Sequence, residues 1–255
     1  GGTEACGEID ALGEGVTQFR VGQRIAVAGV LGTWAEYFLA PAKTLVPLPE
    51  TIDDATAAQL VAMPLSALML LESLSLDTGQ WAVQNTANGA VGKTFGLIAQ
   101  ARGIEVMHLV RSQAAVNELH ALGFKHVVDT SLGNWKHTAR ALAQSNVIAA
   151  GVDSIGGKAS GDLLSLLGEN ATLVSFGSMS GEMMEISSGD LIFKQATIKG
   201  FWASKLSGVN GKSRAELIGE LIQLISNGVL TLPVEAIYSL ADITAATEAA
   251  LKGGR

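Results

Sequence analysis

The chain has 255 residues, 48% apolar and 16% charged, which supplies sizeable cores for two domains and excludes disorder. Its net charge of −7 argues against nucleic acid as a partner, and its single cysteine, Cys6, excludes an internal disulfide and suits a reducing compartment. The longest apolar run, Leu60 to Leu71, is interrupted by Pro64 and Ser66 and is too short to span a bilayer, so no membrane partner is expected. From Gly1 to about residue 50, short runs at Glu8-Ile9, Arg24-Ile25-Ala26-Val27 and Ala35-Glu36-Tyr37-Phe38-Leu39 are punctuated by Gly13, Gly15, Gly22 and Gly32. That spacing predicts a small β-rich domain, closed by Pro47 and Pro49.

Residues 51–208 alternate between strand and helix patterns. Strands are predicted over Trp81–Gln84, Glu105–Val110, His126–Val128, Gly151–Ser154, Thr172–Phe176 and Ile198–Phe201. Several are nearly continuous apolar runs, as expected when helices cover both faces of a sheet. A helix from Val91 to Arg102 ends at Gly103. The fold class is therefore α/β, a doubly wound parallel sheet with a β-rich companion. Residues 209–255 open with the capping box Ser213 and Glu216, continue through an apolar stripe of Leu217, Leu221, Leu224 and Ile225, and break at Gly228. A strand at Ala236–Leu240 and a helix from Asp242 to Lys252 follow, and this tail is expected to rejoin the first domain. The start at Gly1-Gly2 without methionine and the stop after Lys252-Gly253-Gly254-Arg255 suggest a piece of a longer protein, with the β-rich domain incomplete at both ends. A cytoplasmic location is expected, with organellar targeting left open.

The chemistry concentrates in Trp81-Ala82-Val83-Gln84-Asn85-Thr86-Ala87-Asn88-Gly89-Ala90-Val91-Gly92. A strand passes through a small-residue turn into a helix, in a G-x-G-x-x-G variant with Ala87 in first place. Gly89 would let the backbone approach a pyrophosphate, and Gly92 would let the helix pack closely on the strand. An ordinary strand-to-helix turn is the competing reading, since such triplets are common. The next strand ends at Arg111, about twenty residues on, where dinucleotide folds place the residue that reads the ribose. NAD-binding folds carry an acid there. Arg111-Ser112 offers a cation and a hydroxyl instead, suited to the 2′-phosphate of NADPH. A solvated surface arginine is the plainer alternative. A four-cysteine zinc site cannot be built from one cysteine. His108, His120, His126 and His137 show no ligand spacing, so surface or edge roles are expected for them and a small buried role for Cys6.

The loop Gln84 to Gly92 is similar to the cofactor loop of the 2-enoyl thioester reductases in the medium-chain dehydrogenase/reductase superfamily. Leu31-Gly32-Thr33-Trp34 resembles a strand-opening segment of that family, and Phe193-Lys194 with Gly200-Phe201-Trp202-Ala203-Ser204 resembles another of its signatures. The order holds along the whole chain. Either signature alone would indicate only the wider superfamily, quinone oxidoreductases included.

The resemblance implies a GroES-like β domain built from both chain ends around a Rossmann domain, with boundaries at 1–50, 51–208 and 209–255. It implies NADPH as cofactor, held at Asn88, Gly89, Ala90, Val91 and Gly92 on the pyrophosphate side and at Arg111, Ser112 and Gln113 on the 2′-phosphate. Phe176, Gly177, Ser178 and Met179 would lie near the nicotinamide with Phe201, Trp202, Ala203 and Ser204. Core packing is the plainer reading of the aromatics Phe176, Phe201 and Trp202. The implied reaction is reduction of a trans-2-enoyl thioester, carried on CoA or an acyl carrier protein, in a homodimer. A quinone or enone reductase, or an NADPH-binding protein without turnover, remain alternatives. Two departures stand out. Met63-Pro64 replaces a common Asn-Pro, and the family's proton-donating tyrosine is expected upstream of Gly1, so no catalytic residue is assigned in this chain. Tyr37 and Tyr238 sit in strand patterns and read as core or edge residues.

Overall fold

A computed structural model describes residues 1–251. In the N-terminal stretch, β1 (Glu4–Glu8), β2 (Arg24–Ala28) and β3 (Leu45–Pro47) form an antiparallel sheet in the order β1-β2-β3. Its central strand buries Ile25, Ala26 and Val27. The first strand lies earlier than Glu8-Ile9 because Glu4 through Glu8 pair with Ala28 through Arg24. The expected strand at Ala35–Leu39 does not form; those residues bend, and Tyr37 and Leu39 are exposed. Alternating apolar residues make a strand only where a neighbour takes up the ladder bonds, and here Leu45–Pro47 pairs with β2 instead. Pro47 is accommodated because β3 is an edge.

Helix α1 (Asp54–Ala57) is capped by Asp53, whose side chain accepts from the Thr56 amide. Then come α2 (Met63–Leu74), β4 (Trp81–Gln84), α3 (Ala90–Ala101), β5 (Glu105–Val110), α4 (Gln113–Ala121), β6 (His126–Asp129) and α5 (Trp135–Ala143). The alternation continues with β7 (Ile148–Asp153), α6 (Gly157–Leu166), β8 (Thr172–Ser175), α7 (Ser188–Phe193) and β9 (Thr197–Gly200). A two-stranded ribbon, β10 (Gly208–Val209) and β11 (Lys212–Ser213), precedes α8 (Arg214–Ser226) and α9 (Ile243–Leu251). The strand expected at Ala236–Leu240 is absent, and Tyr238 there is 42% exposed. Both tyrosines thus lie outside strands. Lys252, the expected end of the last helix, lies outside the described residues.

The six-stranded sheet is parallel throughout, in the order β6-β5-β4-β7-β8-β9. Such a sheet is buried on both faces, and its strands are accordingly apolar. Val83, Met107, Leu109, Ile148 and Leu173 pack with Leu163, Leu164 and Ala139 from the flanking helices. Chain order reverses between β4 and β7; at such a switch point of an open parallel sheet the connections leave to opposite faces, which makes a crevice at the carboxyl ends of the strands. By compactness the chain divides into two units, residues 1–65 with those from 215 on, and residues 66–214. Among the described residues no helix is long and apolar enough to cross a membrane.

Candidate functional site

The turn from β4 into α3 is tight. Thr86 takes a left-handed φ of 48°, and the Gly89 amide donates to the Thr86 carbonyl at 2.9 Å. A Cβ on Gly92 would stand 2.7 Å from the Ala87 carbonyl oxygen and 2.8 Å from the Ala87 Cα. Only glycine therefore lets the turn fold down onto the first turn of the helix. Gly89 is the residue before α3, in extended conformation. The opening amides of α3 have no carbonyl of their own helix to bind, and no acidic residue stands in that turn.

The helix start is tied to the sheet from below. Gln84 Nε2 donates to the Gly92 carbonyl at 2.9 Å and meets His108 Nδ1 at the same distance. Since Gln84 is the donor to the carbonyl, the histidine Nδ1 accepts and its proton sits on Nε2. His108 stacks on Phe124 with ring centroids 4.3 Å apart. The expected surface role for His108 is thus overturned: it is only 3% exposed, because Gly96 leaves room for both rings against α3. Burial, reinforced by His126, pushes its pKa down to about 3, so the ring is neutral.

Between β4 and β7 the crevice floor is closed by side chains. Asn85 Nδ2 donates to Asp153 Oδ1 at 2.6 Å, and Asn85 Oδ1 accepts from the Ser154 amide at 2.9 Å. Asp153 is fully buried, and also accepts from the Ile155 and Gly156 amides and from Ser160 Oγ. The Thr86 and Ser154 hydroxyls meet at 2.5 Å.

Arg111 follows β5 and is exposed; among the described residues no carboxylate pairs with it. Ser112 caps α4 by accepting from the Ala115 amide at 3.3 Å, and Gln113 Nε2 donates to Asn117 at 3.0 Å. Beyond β8, the Phe176 amide donates to the Asp153 carbonyl and the Met179 amide to the Ser154 carbonyl. A Cβ on Gly177 would stand 2.8 Å from the Ser154 carbonyl oxygen. Ser178 and Met179 are exposed. After β9 the Phe201 amide donates to Ser175, and Trp202, 66% exposed, lies under the Lys205 ammonium. Trp202 is therefore not a core aromatic, while Phe176 and Phe201 are half-buried. Ala203 and Ser204 form the 3₁₀ turn that follows.

Asn88 through Gly92, Arg111 through Gln113, Phe176 through Met179 and Phe201 through Ser204 thus all follow the carboxyl ends of strands in one parallel sheet. Gln84 and Asn85 lie in the loop that the sequence singles out but carry no expected role there, and no site role was expected for His108, Asp153, Ser154 or Ser160. Polar side chains inside or just beyond apolar strands, as at Gln84, His108 and Asp153-Ser154, were the available signal. Cys6 is half-buried rather than buried, and burial together with the Asp54 carboxylate pushes its thiol up to about 11. Among the described residues no cluster of His, Cys, Asp and Glu could hold a metal ion.

Comparison with known proteins gives two matching families. Residues 90–226 match the zinc-binding dehydrogenase family, and residues 1–50 match the alcohol dehydrogenase GroES-like domain. The human mitochondrial enoyl-[acyl-carrier-protein] reductase is 30% identical, over 99% of this chain and 69% of its own length. The solved quinone oxidoreductase of Pseudomonas syringae is 26% identical with a TM-score of 0.84, covering 97% of this chain and 77% of that one. A mycobacterial protein complexed with NADPH is 25% identical with a TM-score of 0.83, covering 97% of this chain and 77% of that one. With a GroES-like stretch, a six-stranded Rossmann sheet and a family match over more than half its length, this chain belongs to the medium-chain dehydrogenase/reductase superfamily.

Proposed function

We propose that this protein binds NADPH in the crevice of its parallel sheet and, as part of the whole enzyme, reduces the carbon–carbon double bond of 2-enoyl thioesters without zinc. The observation that carries the cofactor is an acid-free α3 start, reached through Gly92, together with an exposed Arg111 just after β5 that meets no carboxylate among the described residues. The residues fit the group. Helix-start amides suit a pyrophosphate, and a guanidinium suits the dianionic 2′-phosphate better than any acid could. Ser112 and Gln113 have a smaller part than Arg111, since their side chains already bond within α4. Similarity to the NADPH-complexed mycobacterial protein supports the same reading.

When bound, NADPH supplies the hydride that the β carbon of the substrate takes up. The chain's own share is orientation and electrostatics. Gly177 allows the loop after β8 to lie against Ser154, and Phe176 and Phe201 flank the strand ends where the nicotinamide belongs. Protonation of the α carbon is assigned to neither Tyr37 nor Tyr238, which are exposed in loops. The thioester as substrate is supported by the human enoyl reductase and by the Gly200-Phe201-Trp202-Ala203-Ser204 signature. The test is NADPH oxidation by the full-length protein with crotonyl thioester and a simple quinone in turn. Faster thioester reduction is expected. A quinone preference would move the activity to the quinone oxidoreductases, and binding without turnover of either would make it a binding protein.

A further inference from the structure

The backbones of β4 and β7 stop pairing where the crevice begins. Their last ladder contact beyond the strands runs from the Asn85 amide to the Val152 carbonyl at 3.2 Å. From there the pairing continues through side chains. The Asn85 carboxamide gives one bond to Asp153 and takes one from the Ser154 amide, and the Thr86–Ser154 hydroxyl contact is the next rung. Asp153 is fully buried, and among the described residues no cation pairs with it. Its carboxyl oxygens accept instead from Asn85, Ile155, Gly156 and Ser160.

We propose that Asn85 is a positioning residue for the dinucleotide: its carboxamide fixes the width of the crevice floor, and with it the placement of the Thr86–Gly89 turn against the loop after β7. The inference rests on the reading of this crevice as an NADPH site. Only a planar group carrying a donor and an acceptor can make both bonds. An aspartate would set a second carboxylate against Asp153, and a leucine would leave the Asp153 oxygen short of a donor and the Ser154 amide unpaired, each a costly buried loss. Such a clamp elsewhere on the sheet would serve stability alone. This one spans the gap between the two loops that face the ligand, and the strained Thr86 follows it directly.

The test uses the full-length protein and fluorescence titration with NADPH, alongside thermal melts. Asn85→Leu and Asn85→Asp are expected to raise the Kd for NADPH by about tenfold or more, because small displacements of positioning groups are costly. Asn85→Ser, a smaller disturbance, should follow with a rise of roughly threefold and serves if the other two do not fold. Ile148→Ala is the control: it removes a buried side chain at the opposite end of β7, and should lower the melting temperature without changing the Kd. A Kd within about twofold of the parent in a folded Asn85 variant overturns the inference, as does an equal rise in Ile148→Ala. A parent that binds no NADPH overturns the cofactor reading as well, so the two failures are distinguishable.

Discussion

Arg111 and His108 are the single residues with the most to say. Among the described residues no acid pairs with Arg111, which leaves its guanidinium for the proposed contact with a 2′-phosphate. Arg111→Asp should remove a charge-assisted bond of about 1.5–3 kcal/mol, roughly 10- to 150-fold in NADPH affinity. NADH binding should change far less, and titration with both dinucleotides checks it. His108 gives a pH prediction. Its pKa is lowered in the fold from 6.5 to about 3. Above pH 6.5 both folded and unfolded forms are neutral there. Below it the unfolded chain takes up a proton that the buried ring refuses, so stability falls as pH falls toward 3, by about 1.4 kcal/mol per pH unit. Urea unfolding at pH 7.5 and 5.0 should show the loss, and His108→Gln, which keeps an acceptor for Gln84, should reduce it.

Among the elements, α4 combines a structural and a functional question at its N-cap. Ser112 is both a candidate phosphate contact and the observed cap. Ser112→Ala should cost about 1 kcal/mol of stability through the lost cap, with NADPH affinity little changed. Ser112→Asp keeps a capping oxygen and suits the helix dipole, but sets a negative charge beside Arg111. Its melting temperature should hold while the Kd for NADPH rises about tenfold. Thermal melts and titrations on both variants separate the roles. At this scale the sequence was informative for the Rossmann strands. Trp81–Gln84 and Glu105–Val110 formed with the expected bounds, since continuous apolar runs between helices admit few alternatives. The runs at Ala35–Leu39 and Ala236–Leu240 show the same local pattern and form no strand, because pairing is not a local property.

At the scale of the molecule, β9 ends the large sheet, and among the described residues no strand pairs with its outer side. The Thr197 and Phe201 amides turn inward to Ala171 and Ser175. In a parallel ladder alternate residues face the same side, so Ile198 and Gly200 present their backbone groups outward. An open strand edge is a liability unless it is covered or paired. We expect the full-length protein to close it as a homodimer, visible in sedimentation at micromolar concentration; a monomer there would leave the edge to be covered otherwise.

The sequence by itself determined the alternation of strands and helices, the glycine turn and the position of Arg111 after the second Rossmann strand, because these follow from local periodicity, backbone sterics and spacing. Only the tertiary structure decided the sheet order, and with it the point where chain order reverses and a crevice opens. It also decided that Asn85, Thr86, Asp153 and Ser154 share the crevice floor although 68 or 69 residues separate their bonded partners. The same holds for His108, which is buried because Gly96 and Phe124 stand beside it. Burial and hydrogen-bond partnership arise from long-range packing, which no single stretch of sequence contains.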